Sequence, residues 1–281
     1  MTHQIDPLDD WQGERAARWL ADLDINEAML APLGEAILAH AAFAPGEQVL
    51  DVGCGGGATS RAIARAVGRQ GAVLGIDIAS DLLAEAERRA RSEHLDNLHL
   101  TAGDAAVCTF TSSFDRIFSR LGIMFFAKPR VAFKHLAEAL VVGGRADFAV
   151  WASPQQNPWM SGARAILTRH IDVPAPIPDA PGPFSLSDRD AFTALLTESG
   201  WCDVHHSSWE GPVLVGGGAG PHSAADFALR SFSFAQPLAT ASTHVRDRVA
   251  AELADFYGCW VVKGEVRAPG AAWLVSARRD R

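Results

Sequence analysis

No stretch of the 281-residue chain reaches the ~18 consecutive apolar residues that a membrane-spanning helix needs. The opening Met-Thr-His-Gln-Ile-Asp lacks the basic-then-apolar pattern of a secretory signal. These two absences lead to the expectation of a cytoplasmic protein with no membrane span. Cysteine is sparse: Cys54, Cys108, Cys202 and Cys259 are widely separated, and none forms a C-x-x-C pair. Neither a disulfide framework nor a zinc site follows from such spacing. No His and carboxylate cluster has metal-ligand spacing either, so no metal is expected. Positive charge is short as well. With 25 Lys and Arg against 33 Asp and Glu, the net charge is −8. A nucleic-acid groove normally needs a basic face, so tRNA, rRNA and DNA are disfavoured as partners. Low-complexity tracts and internal repeats are absent, and 48% of the residues are hydrophobic. That composition supports one large α/β domain with an appended cap.

What the chain does have is concentrated at residues 49–57, Val-Leu-Asp-Val-Gly-Cys-Gly-Gly-Gly. An apolar β-branched run ends in an acid, breaks into glycines, and gives way to a helical pattern from Ala58. This describes a buried strand turning sharply into a helix. Gly53 and Gly55 remove the Cβ atoms that would hold a ligand away from the backbone. Gly53-x-Gly55-x-x-Ala58 also fits a loose dinucleotide fingerprint, which alone is weakly specific. Asp51, two positions before the first glycine, favours a ligand with positive charge over a pyrophosphate.

Two more strands end the same way. Val73-Leu-Gly-Ile-Asp77 places Asp77 twenty residues after Gly57, one crossover helix away, where it can accept from a ribose diol. Leu98-His-Leu-Thr-Ala-Gly-Asp104 ends in a third acid, within reach of an adenine amino group. Three acid-tipped strands around one glycine turn describe a pocket for a nucleoside with a cationic tail. Over roughly residues 45–152 the sequence resembles the class I S-adenosylmethionine (SAM) dependent methyltransferases. It is similar in a general way to the bacterial small-molecule branch that includes quinone-biosynthesis C-methyltransferases. The resemblance implies that Asp51 serves the methionine amine, that Gly53 and Gly55 lie under methionine and ribose, and that Asp77 binds the ribose hydroxyls. Asp104 would meet adenine, with Ile78, Ala105 and Ser119 completing the cofactor set. The product would be S-adenosylhomocysteine.

The alternation of elements predicts a doubly wound, seven-stranded, mainly parallel sheet, the Rossmann-like methyltransferase fold, with helical cap segments. Strands are read near 48–53, 72–77, 97–102, 114–120, 145–151, 202–209 and 271–277. Helices are read near 57–68, 80–92, 128–141 and 187–199, with Ser80 and Ser187 as N-caps. Residues 1–44 read as an N-terminal helical lid, with apolar periodicity from Asn26 to Ala41, and 45–281 as the methyltransferase domain. Two stretches, 153–186 with its Asp179–Pro183 loop and 211–262 with helices near 222–234 and 240–257, read as cap insertions on the acceptor side.

Arg120, at the tip of the fourth strand, is a candidate to hold an acidic or carbonyl acceptor group, with a loop brace as the alternative. Asn157 and Trp159, read as loop, are candidates for a polar handle and a flat apolar wall. Together they favour a small aromatic or hydrophobic acceptor. His170, His205, His206 and Glu210 are available as bases, but nothing in their local sequence selects one, and no catalytic residue is assigned. His205 and His206 are adjacent and should face opposite sides of a strand. The competing functions are an NAD-dependent oxidoreductase, opposed by Asp51 and Asp104, and a SAM-binding protein of this fold without methyl transfer. Self-association is left open.

Overall fold

The computed structural model describes residues 11–280 except 176, 178, 179, 233–236 and 239. The first ten residues of the expected lid, Asp179 of the expected loop, and 233–234 of an expected cap helix lie outside the described residues.

The sheet has seven strands: β1 (Gln48–Val52), β2 (Ala72–Asp77), β3 (Leu98–Ala102), β4 (Phe114–Arg120), β5 (Leu140–Trp151), β6 (Trp201–Val213) and β9 (Ala268–Arg279). A separate hairpin pairs β7 (Val261–Val262) with β8 (Glu265–Val266). The order in the main sheet is β3-β2-β1-β4-β5-β9-β6. Within the main sheet all pairings are parallel except those of β9, which runs antiparallel between β5 and β6. Val49, Leu50 and Val52 are almost completely buried, as expected of a central parallel strand covered on both faces. Strand order reverses between β1 and β4, so the crevice beyond their carboxyl ends is the switch point where such sheets take ligands.

Helices α1 (Glu14–Ala21), α2 (Leu23–Ala41), α3 (Ala58–Val67), α4 (Ser80–Ser92), α5 (Pro129–Ala139) and α7 (Arg189–Glu198) flank the sheet. Two N-caps differ by one residue from the expected serines. Ala79 precedes α4, and Asp188 caps α7 by accepting from the N–H groups of Asp190 and Ala191. Asp188 can reach two orphan donors from one oxygen, which Ser187 is placed too early to do.

Helix α2 is more than a loose cover. Met29, Leu30, Leu33 and Ile37 belong to the same core as the sheet, while α1 packs through Ala16 in a small cluster with Ala79 and Leu82. The C-terminal carbonyls of α2 are clamped by arginines from the sheet. Arg116 donates to Ala41 O at 2.6 Å, and Arg145 donates to His40 O at 3.2 Å. Both arginines also bind the fully buried Asp147, at 2.5 and 2.6 Å. Ahead of α1, Trp11 packs edge-on against Phe125 with ring centroids 5.2 Å apart, and Phe125 follows the tip of β4. The N-terminal segment therefore does reach the carboxyl end of the sheet.

The 153–186 region is less loop-like than expected. Pro158 opens a helix, α6 (Pro158–Leu167), and Trp159 lies in its first turn. Two later helices, α8 (Pro221–Ser231) and α9 (Thr243–Gly258), pack together, and α9 also packs on α6. There the Phe256 ring lies so near Gly162 that an added Cβ would sit 2.4 Å from it. Asn157 ties this cap to the sheet. Its Nδ2 donates to the carbonyls of Ala152, Ser153 and Ala271, and its Oδ1 accepts from Ala271 N–H and Trp159 Nε1.

Asn157→Ala would leave several buried backbone groups unpaired, each costing about 1–3 kcal/mol. The expected result is a fall in the urea midpoint worth about 2–4 kcal/mol. A variant as stable as the parent would show that the amide is not the brace.

Candidate functional site

Asp51 is the penultimate residue of β1 and is 1% exposed. Its Oδ2 accepts from Thr59 Oγ1 at 2.8 Å and Ser60 Oγ at 2.6 Å, both in the first turn of α3. Its Oδ1 is buried with no partner among the described residues. Burial drives the carboxyl up to about 6, opposed by the two hydroxyls and by the positive charge of Arg120. A buried acceptor without a donor is costly, and such an atom calls for an explanation. A cationic ligand group would supply one.

The turn after Asp51 has three glycines at positive φ: Gly53 at 68°, Gly55 at 52° and Gly57 at 76°. They serve different needs. A Cβ on Gly53 would stand 2.8 Å from Gly122 Cα, so Gly53 lets the tip of β4 pack directly on the turn. A Cβ on Gly55 would meet nothing within 4 Å, so that glycine faces open space. Open backbone at a strand-to-helix turn is the cradle a ligand needs.

Asp77 closes the turn from β2. Its Oδ2 accepts from Gly55 N–H at 2.8 Å and its Oδ1 from Ala79 N–H at 2.9 Å. Burial raises its pKa while these backbone donors pull it down. Asp104 is half-buried beyond β3, and its Oδ1 accepts from Ala106 N–H at 2.8 Å. Ile78 is half-buried beside Asp77, and Ala105 is 6% exposed beside Asp104. The three acids thus lie at the ends of three adjacent strands, with the glycine turn between two of them.

The other expected site residues fall elsewhere. Ser119 is fully buried, and its hydroxyl donates to Val52 O at 2.7 Å, pinning β4 to β1 instead of facing outward. Asn157 is fully buried with its amide committed to the sheet, and Trp159 is 1% exposed. Neither has the open loop position expected of an acceptor contact, because Pro158 begins a helix that packs both inward. Arg120 is partly buried at the tip of β4, with its guanidinium against Gly34 of α2.

Of the four potential bases, His170 and His206 are engaged, while His205 and Glu210 are exposed. His205 is exposed while His206 faces α7, where its Nε2 lies 2.9 Å from Thr193 Oγ1, so the two do point to opposite sides. His170 pairs with Glu252 at 2.9 Å. Tyr257 donates to Trp159 O at 3.1 Å, and burial raises its phenol above the usual range. Cys54 is buried, and burial beside Asp51 and Asp77 pushes its thiol well up, the opposite of an activated nucleophile. Among the described residues no cluster of His, Cys, Asp or Glu is arranged to hold a metal, and no helix is long and apolar enough to cross a membrane.

Several residues at the turn have no expected role from the sequence. Thr59 and Ser60 hold Asp51, and their place just after the glycines is a signal that helix periodicity contains. Arg61 donates from Nη1 to Gly56 O at 2.9 Å. Leu23 and Glu27 of α2 overhang Gly56, and only the three-dimensional packing brings them there.

Residues 49–144 match the model of a methyltransferase domain family. Over 118 residues the chain is 36% identical to aklanonic acid methyltransferase DauC of Streptomyces sp. strain C5, covering 42% of this chain and 54% of that protein. It is 37% identical over 113 residues to the 2-phytyl-1,4-naphtoquinone methyltransferase of Thermosynechococcus vestitus, covering 40% and 49%. The matched segment thus spans about half the length of these curated relatives. The YcgJ protein of Bacillus subtilis superposes with a TM-score of 0.58 at 17% identity, over 88% of this chain and 98% of that one, which shows a shared fold. The strand order and the glycine turn accompany this match: residues 49–144 are similar to a methyltransferase domain and carry the turn that follows β1.

Proposed function

We propose that the chain moves the methyl group of SAM to a small organic acceptor of hydrophobic or aromatic character, releasing S-adenosylhomocysteine. The unpartnered, buried Oδ1 of Asp51 beside the open face of Gly55 carries this reading. A carboxylate there suits the ammonium of an amino-acid tail and opposes the diphosphate of a nicotinamide dinucleotide. The acceptor class is drawn from the relatives, whose names specify aklanonic acid and a phytyl naphthoquinone.

The cofactor, when bound, supplies a sulfonium methyl that is already electrophilic. The work left to the chain is alignment and exclusion of water, and positioning alone is worth several kcal/mol. In this proposal Gly53 and Gly55 let the methionine and ribose approach the backbone. Asp77 keeps spare lone pairs for a ribose hydroxyl while holding Gly55 and Ala79 in place. Asp104 faces the adenine amine, flanked by Ile78 and Ala105. Ser119 acts through its bond to Val52 by fixing the β4 tip beside the turn. His170, His206 and Tyr257 are engaged by Glu252, Thr193 and Trp159, so an acceptor with its own acidic OH or CH fits this reading.

Isothermal titration should show one site per chain for SAM and for S-adenosylhomocysteine. No heat and no thermal shift at millimolar ligand would sink the assignment. Incubation with SAM and hydroxylated quinones or other phenolic aromatics should yield a product heavier by one methyl group, detected by mass spectrometry. A ligand-binding protein that methylates none of them would instead point to this fold without transfer.

Asp51 makes a second prediction, in which stability and affinity move in opposite directions. Its carboxyl titrates near 6 when folded, above its ordinary 3.8. The folded state is therefore penalised above pH 6, and the penalty is relieved as pH falls through 6 toward 4. Its full size is on the order of 3 kcal/mol. Asp51→Asn should melt higher than the parent at pH 8, with the difference vanishing near pH 4. At pH 8 it should bind SAM about 10–150-fold more weakly, the loss of one charge-assisted hydrogen bond. The parent's affinity should fall below pH 6 as Asp51 protonates. A variant that loses stability at pH 8 but keeps its affinity would refute the role given to Asp51.

A further inference from the structure

Arg120 is the end of β4, and its surroundings do not suit an acceptor contact. Phe118 pairs with Asp51 across the β1–β4 register, so Arg120 continues the same face of the sheet one pleat beyond the acid. Its guanidinium lies against α2, where a Cβ on Gly34 would stand 2.8 Å from Nη1. Among the described residues it makes no hydrogen bond and no ion pair. Asp51 and Glu27 nevertheless both act on its charge, so the three groups share one neighbourhood.

Glu27 enters that neighbourhood from the other side. A Cβ on Gly56 would stand 3.1 Å from its Oε1 and 2.7 Å from a Leu23 methyl, so this turn of α2 sits on the glycine turn. Glu27 Oε2 accepts from Arg89 Nη1 at 3.1 Å and lies 3.7 Å from Arg61 Nη2. Oε1 is buried with no partner among the described residues, just as Oδ1 of Asp51 is. Asp24 also pairs with Arg89, at 2.7 Å, which ties this part of α2 to α4.

Two orphan carboxylate oxygens and one uncommitted guanidinium around a single turn are the complement of a zwitterion. The acids match an ammonium, and the planar fork of Arg matches a carboxylate with two parallel donors. Building on the methyltransferase reading, we infer that Arg120 grips the α-carboxylate of the cofactor's amino-acid end while Glu27 shares its ammonium with Asp51. Helix α2 is then a wall of the cofactor site through Glu27, and Arg120 does not belong to the acceptor side.

Three ligands separate these roles: S-adenosylhomocysteine, its decarboxylated analogue with the amine but no carboxylate, and 5′-methylthioadenosine with neither. Arg120→Met should bind S-adenosylhomocysteine about 10–150-fold more weakly and the other two no worse than the parent does. Glu27→Gln should weaken the first two and leave 5′-methylthioadenosine unchanged. Melting curves without ligand report whether each variant folds. If Arg120→Met does not fold, Arg120→Lys keeps the charge, loses the fork, and should show the same selectivity with a smaller loss. Equal losses for all three ligands, or S-adenosylhomocysteine binding as in the parent, would overturn the inference. A parent chain that binds none of the three would overturn the cofactor assignment itself and this inference with it.

Discussion

A carboxylate removed from water at the end of the central strand is the constraint that organises the site. Asp51 follows Val49 and Leu50 into a strand buried on both faces, so its position is dictated by the core. Its charge is kept there by the two hydroxyls at the start of α3, where a helix N-terminus also favours negative charge. Those hydroxyls serve one oxygen and leave the other without a donor. The folded chain thus holds an acceptor that is costly without a ligand. Binding sites commonly trade stability for function in this way.

The glycine turn translates that cost into geometry. Gly53 allows the Gly122 backbone to approach, which sets the tip of β4 against β1 and places Arg120 near Asp51. Asp77 holds the Gly55 N–H from the neighbouring strand, so the open stretch of backbone is fixed rather than slack. From above, Leu23 and Glu27 bring α2 down on Gly56. That helix is itself anchored far away, at its opposite end, by Arg116 and Arg145. The site is therefore built from rigid elements on all sides, as accurate positioning requires.

Much of this was legible in the sequence because it depends on local patterns. Apolar runs ending in acids mark β1, β2 and β3, and the glycines after Asp51 mark the turn, each for a steric reason tied to one residue. What escaped reading depends on partners distant in the chain. Glu27 has no local feature to distinguish it from a solvated helix acid, and only folding brings it to Gly56. Asn157 and Trp159 were expected in a loop because of the surrounding prolines. Pro158 instead occupies the first position of a helix, where a missing N–H costs nothing, and both neighbours are drawn inward. Ser119, read as part of the cofactor set, has its hydroxyl bound to the Val52 carbonyl on the adjacent strand, a partner that local sequence does not reveal.

The antiparallel strand β9 sets the order in which the sheet can be completed. Among the described residues β6 pairs in the main sheet with β9 alone, and β5 reaches β6 through it. During synthesis, therefore, β6 emerges as a thirteen-residue strand with no partner and stays so until residues 268–279 follow. The half of the fold that carries β1–β4 and the glycine turn has no such dependence. The growing chain thus passes through a stage in which one half can already be paired while the other exposes an open edge, the stage at which such edges recruit other chains.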